Sequence, residues 1–521
     1  MQQWQLGIAL DPDNERPLFL QLAERVAQDI GSGRLRPGDA LPGTRALARS
    51  LRINRNTVVA GYAELVAEGL VGTRAGGGTF VAAVGNARLR AIGGAKHPSA
   101  TLPCFAGEGE AGESPTYQLA PASLLPAPPP IAPHGALLLS VSTPDVRLFP
   151  ARELARAFRR ALAQRGRGLP GQADSRGHVR LRAQLANLLV RSRGLAVTPE
   201  NLMITRSIEQ AIDLVARTLI APGDVVAVEE YGYPPAWNVL QLAGARLVPV
   251  AIDREGLDVD ALERVLARER VRAVFLTPHH QFPTTAVMSA RRRARLAALA
   301  LAQRFAIIED DYDHEFHYSG KPILPIAAGP GRANTVYIGS LANLLAPGIG
   351  TAFIVAPPAV FERIWRLRAV SDARGDAAIE GAIAELFEDG ELARHTRRMC
   401  RTYAARRDCL ADALRKQLGS ALSFDVPDGG MALWARADAG IDLAAWEVAA
   451  AREGVVFRSA RAFHFEQREQ QVLRLGFSYL DEPELAEAAR RMARALVRAR
   501  PARSIGEQRR GRIAIAQGMA V

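Results

Sequence analysis

Residues 305–316 read FAIIEDDYDHEF. An apolar run, Phe305 to Ile308, stops against four carboxylates between Glu309 and Asp313, with Tyr312 among them. Such a run reads as a buried parallel strand that delivers its last side chains to a crevice. Taken alone the stretch permits two readings. Either the strand runs out into an acidic, solvated loop, or a carboxylate and a phenol are aimed at one aromatic ligand. A second stretch, YIGSLANLLAPG at Tyr337 to Gly348, lies about one strand–helix–strand repeat further on, and the choice turns on what the two resemble together.

Around these stretches the chain runs to 521 residues, enough for two or three domains, and 48% hydrophobic content supports large cores. A net charge of +12 points only weakly to a polyanionic partner. Lys96, Lys321 and Lys416 are the only lysines among 66 basic residues. The rest are arginines, which form no imine with an aldehyde. Cys104, Cys400 and Cys409 have neither disulfide nor metal-ligand spacing, and no metal site is expected. The start, MQQWQLGIALDPDNER, lacks the basic and apolar regions of a signal peptide, and no apolar run reaches membrane-spanning length. The expectation is a cytoplasmic protein with no membrane partner.

Leu18, Leu22, Val26 and Ile30 recur at helical spacing over residues 17–31. RPGDALP makes a turn, and Thr44 is placed to cap a short helix through Leu51. A tight turn from Arg52 to Asn54 leads into a second helix, Asn56 to Gly69, and then two short strands flank Gly76, Gly77 and Gly78. Helix, helix–turn–helix and glycine-tipped hairpin make a winged helix-turn-helix. Over residues 1–82 nine arginines balance eight acids, but residues 34–55 hold six arginines (34, 36, 45, 49, 52, 55) against Asp39 alone. Charge is concentrated where a DNA-reading pair of helices faces phosphates. The competing reading is a helical hairpin with a solvated arginine face, which would not need the wing.

Residues 83–135 are rich in Ala, Gly and Pro and read as a semi-stiff linker. From 136 to 500 apolar runs alternate with amphipathic helices, the pattern of an α/β domain with a mostly parallel sheet. VRLRAQLANLLVRSRG at 179–194 is one such helix. From about Glu385 a helical segment and two short strands, MALWARAD and VLRLGFS, suggest a smaller C-terminal α+β lobe. Residues 501–521 read as a disordered tail.

The order LPGTRALARSLRINRNTVVAGYAELVAEGLVGTRAGGGTFV resembles the GntR-type winged helix along its full length. The resemblance implies that Arg45, Arg55, Asn56 and Thr57 contact DNA, with Gly76 letting the wing tip approach the minor groove. Gly43 replaces the small hydroxyl residue usual there. The larger domain resembles fold-type I aminotransferases in the form carried by MocR regulators. VEEYGYP, TPHHQFPTT, IIEDDYD, YIGSLANLLAPG and LRLGFS occur in that family's order. By that resemblance Asp310 pairs with the pyridine nitrogen of pyridoxal phosphate, Tyr312 bonds the ring's phenolic oxygen and Tyr233 stacks on the ring. Arg474 holds a ligand carboxylate, and His280, Gln281 and Thr284 line the same loop.

The second stretch departs from the family where the chemistry lies. Asn343 stands at the lysine that forms the aldimine, and an amide is no nucleophilic amine. Ala342 and Leu344 replace hydroxyl residues, and Gly350 replaces the arginine expected at the phosphate. Ser207 and Ile208 differ from the usual phosphate cup, and Gln172 stands where the partner subunit often supplies a tyrosine. Anchor and cup are lost together. The expectation is a homodimeric transcription regulator with no catalytic residue, binding operator DNA and sensing a small amino-acid-like or vitamin-like effector. Pyridoxal phosphate enters by resemblance only, without a covalent bond. The alternatives are an aminotransferase carrying a DNA-binding appendage, or a regulator holding pyridoxal phosphate non-covalently.

Overall fold

A computed structural model of the chain describes residues 10–11, 17–31, 34–67, 69–74, 78–82, 135–165, 174–320, 323–373 and 375–499. Gly76, Lys96, Cys104, Gln172 and Lys321 lie outside these, as do residues 83–134 and the 501–521 tail. The chain forms two compact units, one within residues 1–118 and one within 119–521.

In the first unit α1 (Leu18–Gly31) buries Leu22, Val26 and Ile30 against α2 (Thr44–Leu51) and α3 (Arg55–Ala67). The strands β1 (Val71–Arg74) and β2 (Gly78–Val81) form an antiparallel hairpin, with Val71 opposite Val81 and Arg74 opposite Gly78. Thr44 does not cap α2. It is the first helical residue, and the cap position falls on Gly43, at φ −58° and ψ 145° with no side chain to offer. The first-turn N–H groups of α2 are therefore left without a side-chain acceptor. Arg52 ends α2 in the left-handed conformation, and the Asn54 side chain accepts from Asn56 N at 2.8 Å as α3 begins. The Tyr62 hydroxyl donates to the Pro42 carbonyl at 2.8 Å, tying α3 to the segment before α2.

The second unit opens with α4 (Ala151–Arg165) and α5 (Val179–Arg193). Its sheet contains β3 (Leu202–Thr205), β4 (Val225–Glu229), β5 (Arg246–Val250), β6 (Val271–Leu276), β7 (Ala306–Asp311), β8 (Thr335–Ser340) and β9 (Ala352–Val355). The order is β3–β9–β8–β7–β6–β4–β5, and only β9 runs antiparallel to its neighbours. Side chains alternate across the strands. Phe275 and Ile308 meet α6 (Ile208–Leu219), α7 (Pro234–Leu242) and α10 (Pro358–Ser371); Val274 and Ile307 meet α8 (Val259–Leu266) and α9 (Ala290–Gln303).

After α11 (Ala377–Glu388) and the long α12 (Glu391–Leu418) comes the smaller lobe. Its antiparallel sheet has the order β10 (Leu422–Ser423), β11 (Ala432–Ala437), β13 (Val472–Gly476), β12 (Arg458–Ser459). The buried Trp446 of α13 (Leu443–Arg452) and Met492 of α14 (Glu482–Ala499) share its core. Among the described residues no helix is long and apolar enough to cross a membrane.

Candidate functional site

The acidic stretch that ends β7 is not a solvated loop. Glu309, Asp310, Asp311 and Asp313 are each at most 2% exposed. Strand alternation sends them to different partners. Glu309 accepts from Ile326 N and Ala327 N at 2.8 and 2.9 Å, and burial pushes its carboxyl up to about 7. Asp311 accepts from Tyr337 Oη and sits 2.8 Å from His314 Nδ1, while Asp313 Oδ1 lies 2.8 Å from His280 Nδ1. Asp310 faces the other way, into a cavity of about 370 Å³ at the carboxyl ends of β7 and β8. Its Oδ1 has no hydrogen-bond partner among the described residues. Burial first, then the charges of Asp311 and Glu209, hold its carboxyl well above the usual range.

The cavity collects residues from eight segments, and Tyr233, Asp310, Tyr312, Asn343 and Arg474 all line it. Phe282 stands at the centre of an aromatic box. Its ring meets Tyr233 edge-on at 5.4 Å, Tyr312 at 6.1 Å and Phe463 at 5.5 Å. The buried Arg474, delivered by β13, lies 4.6 Å over the same ring. Its guanidinium donates to the Ser142 hydroxyl and, at 3.3 Å, to the Pro283 carbonyl. Tyr233 caps α7 and donates its hydroxyl to Glu209 at 2.7 Å.

The positions around the cavity that the sequence marks as unusual have local structural surroundings of their own. Asn343 Nδ2 donates to the Tyr312 carbonyl at 3.1 Å, so the amide pins the end of the acidic stretch. Ser340 Oγ accepts from Ala342 N at 3.0 Å, and Leu344 is buried in the core. Ser207 caps α6 by accepting from Gln210 N at 3.2 Å, and Ile208 lines the cavity beside it. A Cβ at Gly350 would collide with the Arg206 carbonyl oxygen, so no arginine fits there on this backbone. Arg206 itself is exposed and leans on Asp372 at 3.4 Å. Lys416, the one lysine among the described residues, is exposed near the end of α12, away from the cavity.

Three expected residues stand on the loop after β6 but do not reach the cavity. His280 is turned away by its bond to Asp313. Gln281 is fully buried, donating to the Tyr231 and Phe282 carbonyls at 2.7 and 2.6 Å. Thr284 lines a wider depression of about 650 Å³ with Trp434 and Arg436. Glu209, Phe282, Phe463 and residues 140–143 were not anticipated. Glu209 and Phe282 sit inside motifs that mark them, one residue from Ile208 and from Pro283. Phe463 and the 140–143 segment arrive from distant sequence with no motif. His279, His280, His314 and His317 gather behind the acidic stretch, and the pairs HH and HxxH are the signal that was passed over.

In the first unit Arg45, Arg49, Arg52 and Arg55 are exposed on α2, its turn and the start of α3, with no ion pair among the described residues. Asn56 is exposed and Thr57 half-buried beside them. Arg34 is paired, 3.0 Å from Asp29.

Two family descriptions match the chain. "Bacterial regulatory proteins, gntR family" matches residues 18–81, and "Aminotransferase class I and II" matches residues 136–492. The chain is 30% identical over 481 residues to the probable rhizopine catabolism regulatory protein MocR of Rhizobium meliloti, covering 92% of this chain and 94% of that one. It is 31% identical to the pyridoxine biosynthesis transcriptional regulator PdxR of Corynebacterium glutamicum, covering 78% and 81%. Among solved structures it is similar to the α-aminoadipate aminotransferase LysN of Thermus thermophilus, complexed with N-(5′-phosphopyridoxyl)-L-leucine. That match has a TM-score of 0.65 and 29% identity over 70% of this chain and 93% of that one.

Proposed function

The chain belongs to the MocR type of GntR-family transcription regulators, with an aminotransferase class I and II domain behind the winged helix, and from that premise we propose a regulator that senses a small ligand without covalent cofactor chemistry. Family members with the aminotransferase domain normally use pyridoxal phosphate. The residues of this chain suit one end of that molecule and not the other. At the ring end, the unpartnered Oδ1 of Asp310 suits a basic nitrogen, which takes the carboxyl proton and restores the carboxylate. Tyr233 and Phe282 give that ring its walls.

At the phosphate end, where an anion needs bare N–H groups and a cation, Ile208 and Glu209 stand at the start of α6, and the Arg206 guanidinium beside them is exposed and leans on Asp372. Gly350 has no room for the missing arginine. The observation that carries the reading is Asn343: the imine position holds a backbone-binding amide and no amine. The ligand of this cavity is then a small molecule with a carboxylate for Arg474 and a basic nitrogen for Asp310 or Glu209, and no phosphate. The described residues thus bind and orient; none supplies the amine that would move a substrate proton.

Pyridoxal phosphate held non-covalently is the second reading, favoured by Asp310 Oδ1 and opposed by Glu209. Titration calorimetry with phosphorylated and dephosphorylated forms of vitamin B6 separates the two. Borohydride reduction after adding pyridoxal phosphate should leave no pyridoxyllysine by mass spectrometry. A stoichiometric adduct on one lysine would overturn the reading. The Asn343→Lys variant should remain without transaminase turnover, because positioning of the phosphate is still absent.

In the winged helix, Arg45, Arg55, Asn56 and Thr57 are proposed to read DNA, with Gly76 at the wing. Two copies pairing through the larger domain would present two such surfaces to paired half-sites. Gel-shift titration with the region upstream of the protein's own gene tests this. Binding should weaken steeply with salt and persist without any cofactor.

A further inference from the structure

We propose that His279, His280 and His317 form a binding site for one divalent transition ion of the zinc class, behind the ligand cavity and separate from it. Adjacent parallel strands bring the ligands together: β6 leads into His279 and His280, and β7 leads through Tyr312 to His317. One ligand atom from each of the three lies within 4.8 Å of the others, against about 3.4 Å for nitrogens sharing a tetrahedral zinc ion. Binding would draw the rings closer by turns of His279 and His317, since Asp313 holds His280. His279 and His280 are 3% and 1% exposed, while His317 is half-buried.

All but one of the ring nitrogens of this cluster are without a hydrogen-bond partner among the described residues. Both ring nitrogens of His279, both of His317 and Nε2 of His280 have no hydrogen-bond partner among the described residues. Leaving that many buried nitrogens unpaired is costly, and histidine is a common metal ligand in its neutral form. Asp313 Oδ1 sits 2.8 Å from His280 Nδ1, which fixes the tautomer and turns Nε2 toward the cluster. A carboxylate behind a histidine ligand is the usual way to orient and strengthen it. Gly429 is shaped to the same end, since a Cβ there would run into His280 Nε2.

A second grouping, His279 with Asp311 and His314, is less suited. There Asp311 Oδ2 is already shared by Tyr337 and His314 Nδ1. The proposed ion would clamp the loop carrying Phe282 to the loop carrying Tyr312, two walls of the ligand cavity.

The test uses the full chain without an affinity tag, stripped with a chelator and titrated with cobalt(II) and then zinc(II). The expected result is one equivalent of cobalt per chain with the visible bands of a nitrogen-ligated ion, displacement by zinc, and a higher thermal midpoint. His317→Ala, at the half-buried ligand, should abolish the bands, and Asp313→Asn should weaken binding about 10–100-fold. His314→Ala should bind as the parent does. Circular dichroism confirms that each variant is folded, and Asp313→Asn carries the test if His317→Ala is not. The proposal is overturned if the folded parent takes up no stoichiometric ion. It is equally overturned if His317→Ala binds like the parent, or if His314→Ala loses binding while His317→Ala keeps it.

Discussion

On α2 and α3 of the first unit, Arg45, Arg49, Arg52 and Arg55 stand in solvent with no ion pair among the described residues. In the second unit Arg193, Arg368, Arg406 and Arg474 are at most 4% exposed, and each lies against an acceptor. The same residue type thus carries opposite information. A guanidinium that the fold has taken out of water is already paired, and its removal is a loss of stability. One left bare contributes little to the fold and keeps its five donors for an anion outside the chain. Position relative to the fold, more than the count of positive charges, separates structure from recognition.

The largest expected effect tests the buried half of this contrast. Arg406 lies 2.9 Å from Asp145 and donates to the Ser478 carbonyl at 2.8 Å. Both side chains are at most 4% exposed. Asp145→Ala should cost about 3–5 kcal/mol, because it strands a buried cation. Urea unfolding of the variant measures it. Arg45→Ala, in the same assay, should stay within about 0.5 kcal/mol of the parent. Similar costs for the two would remove the distinction.

Glu229 is the converse case, a buried acid with no ion pair among the described residues. Its carboxylate accepts from Thr277 N at 3.1 Å and Thr277 Oγ1 at 3.0 Å, yet burial pushes the group up to about 7. The folded state therefore holds the proton to higher pH than the unfolded chain, where glutamate titrates near about 4.3. Stability from this group is fully present below that value and is lost as pH rises through about 7, on the order of 3 kcal/mol in all. Glu229→Gln should flatten that part of the stability–pH curve. An unchanged slope would mean that Glu229 is ionised when folded.

These contrasts also mark what could be read from the chain beforehand. The strand at 306–311, the winged helix and the convergence of Tyr233, Asp310, Tyr312 and Arg474 were legible, because each follows from hydrophobic periodicity or a motif of fixed order. The hydrogen bond from Asn343 to the Tyr312 carbonyl was not legible, because it depends on how two loops meet. His280 shares one loop with Gln281 and Thr284 as expected, but nothing in the string TPHHQFPTT tells that its ring faces Asp313. Thr44 looked like a cap by residue type; the helix begins one residue too early for it.

The exposed half of the contrast has an intermediate expected effect. Arg45→Ala or Arg55→Ala should weaken operator binding by about 1–3 kcal/mol if the side chain reads a base edge. A phosphate-only contact should instead weaken binding evenly across sequences and reduce the salt slope by about one. Gel-shift titrations on specific and scrambled DNA across a salt series tell these apart. If neither variant differs from the parent, the bare arginines are a solvated face and no more.

Arg52 gives the smallest effect and the sharpest test, because stability and recognition should move in opposite directions. It ends α2 at φ 53° and ψ 40°, with its backbone N–H closing onto the Ala48 and Arg49 carbonyls. That left-handed corner is where helices favour glycine, and a side chain there is strained by roughly 1 kcal/mol. The guanidinium is exposed and has no ion pair among the described residues, so nothing within the fold offsets the strain. Arg52→Gly should therefore stabilise the winged helix by up to about 1 kcal/mol, offset in part by the greater freedom of glycine in the unfolded chain. If the side chain meets a phosphate, the same variant should bind DNA less tightly on any sequence, with the salt slope lowered by about one. A variant that is more stable and binds as well as the parent would show the arginine to be idle. One that is less stable would mean that the side chain holds the turn, and the division between paired and bare arginines would fail at the position where it is most exposed.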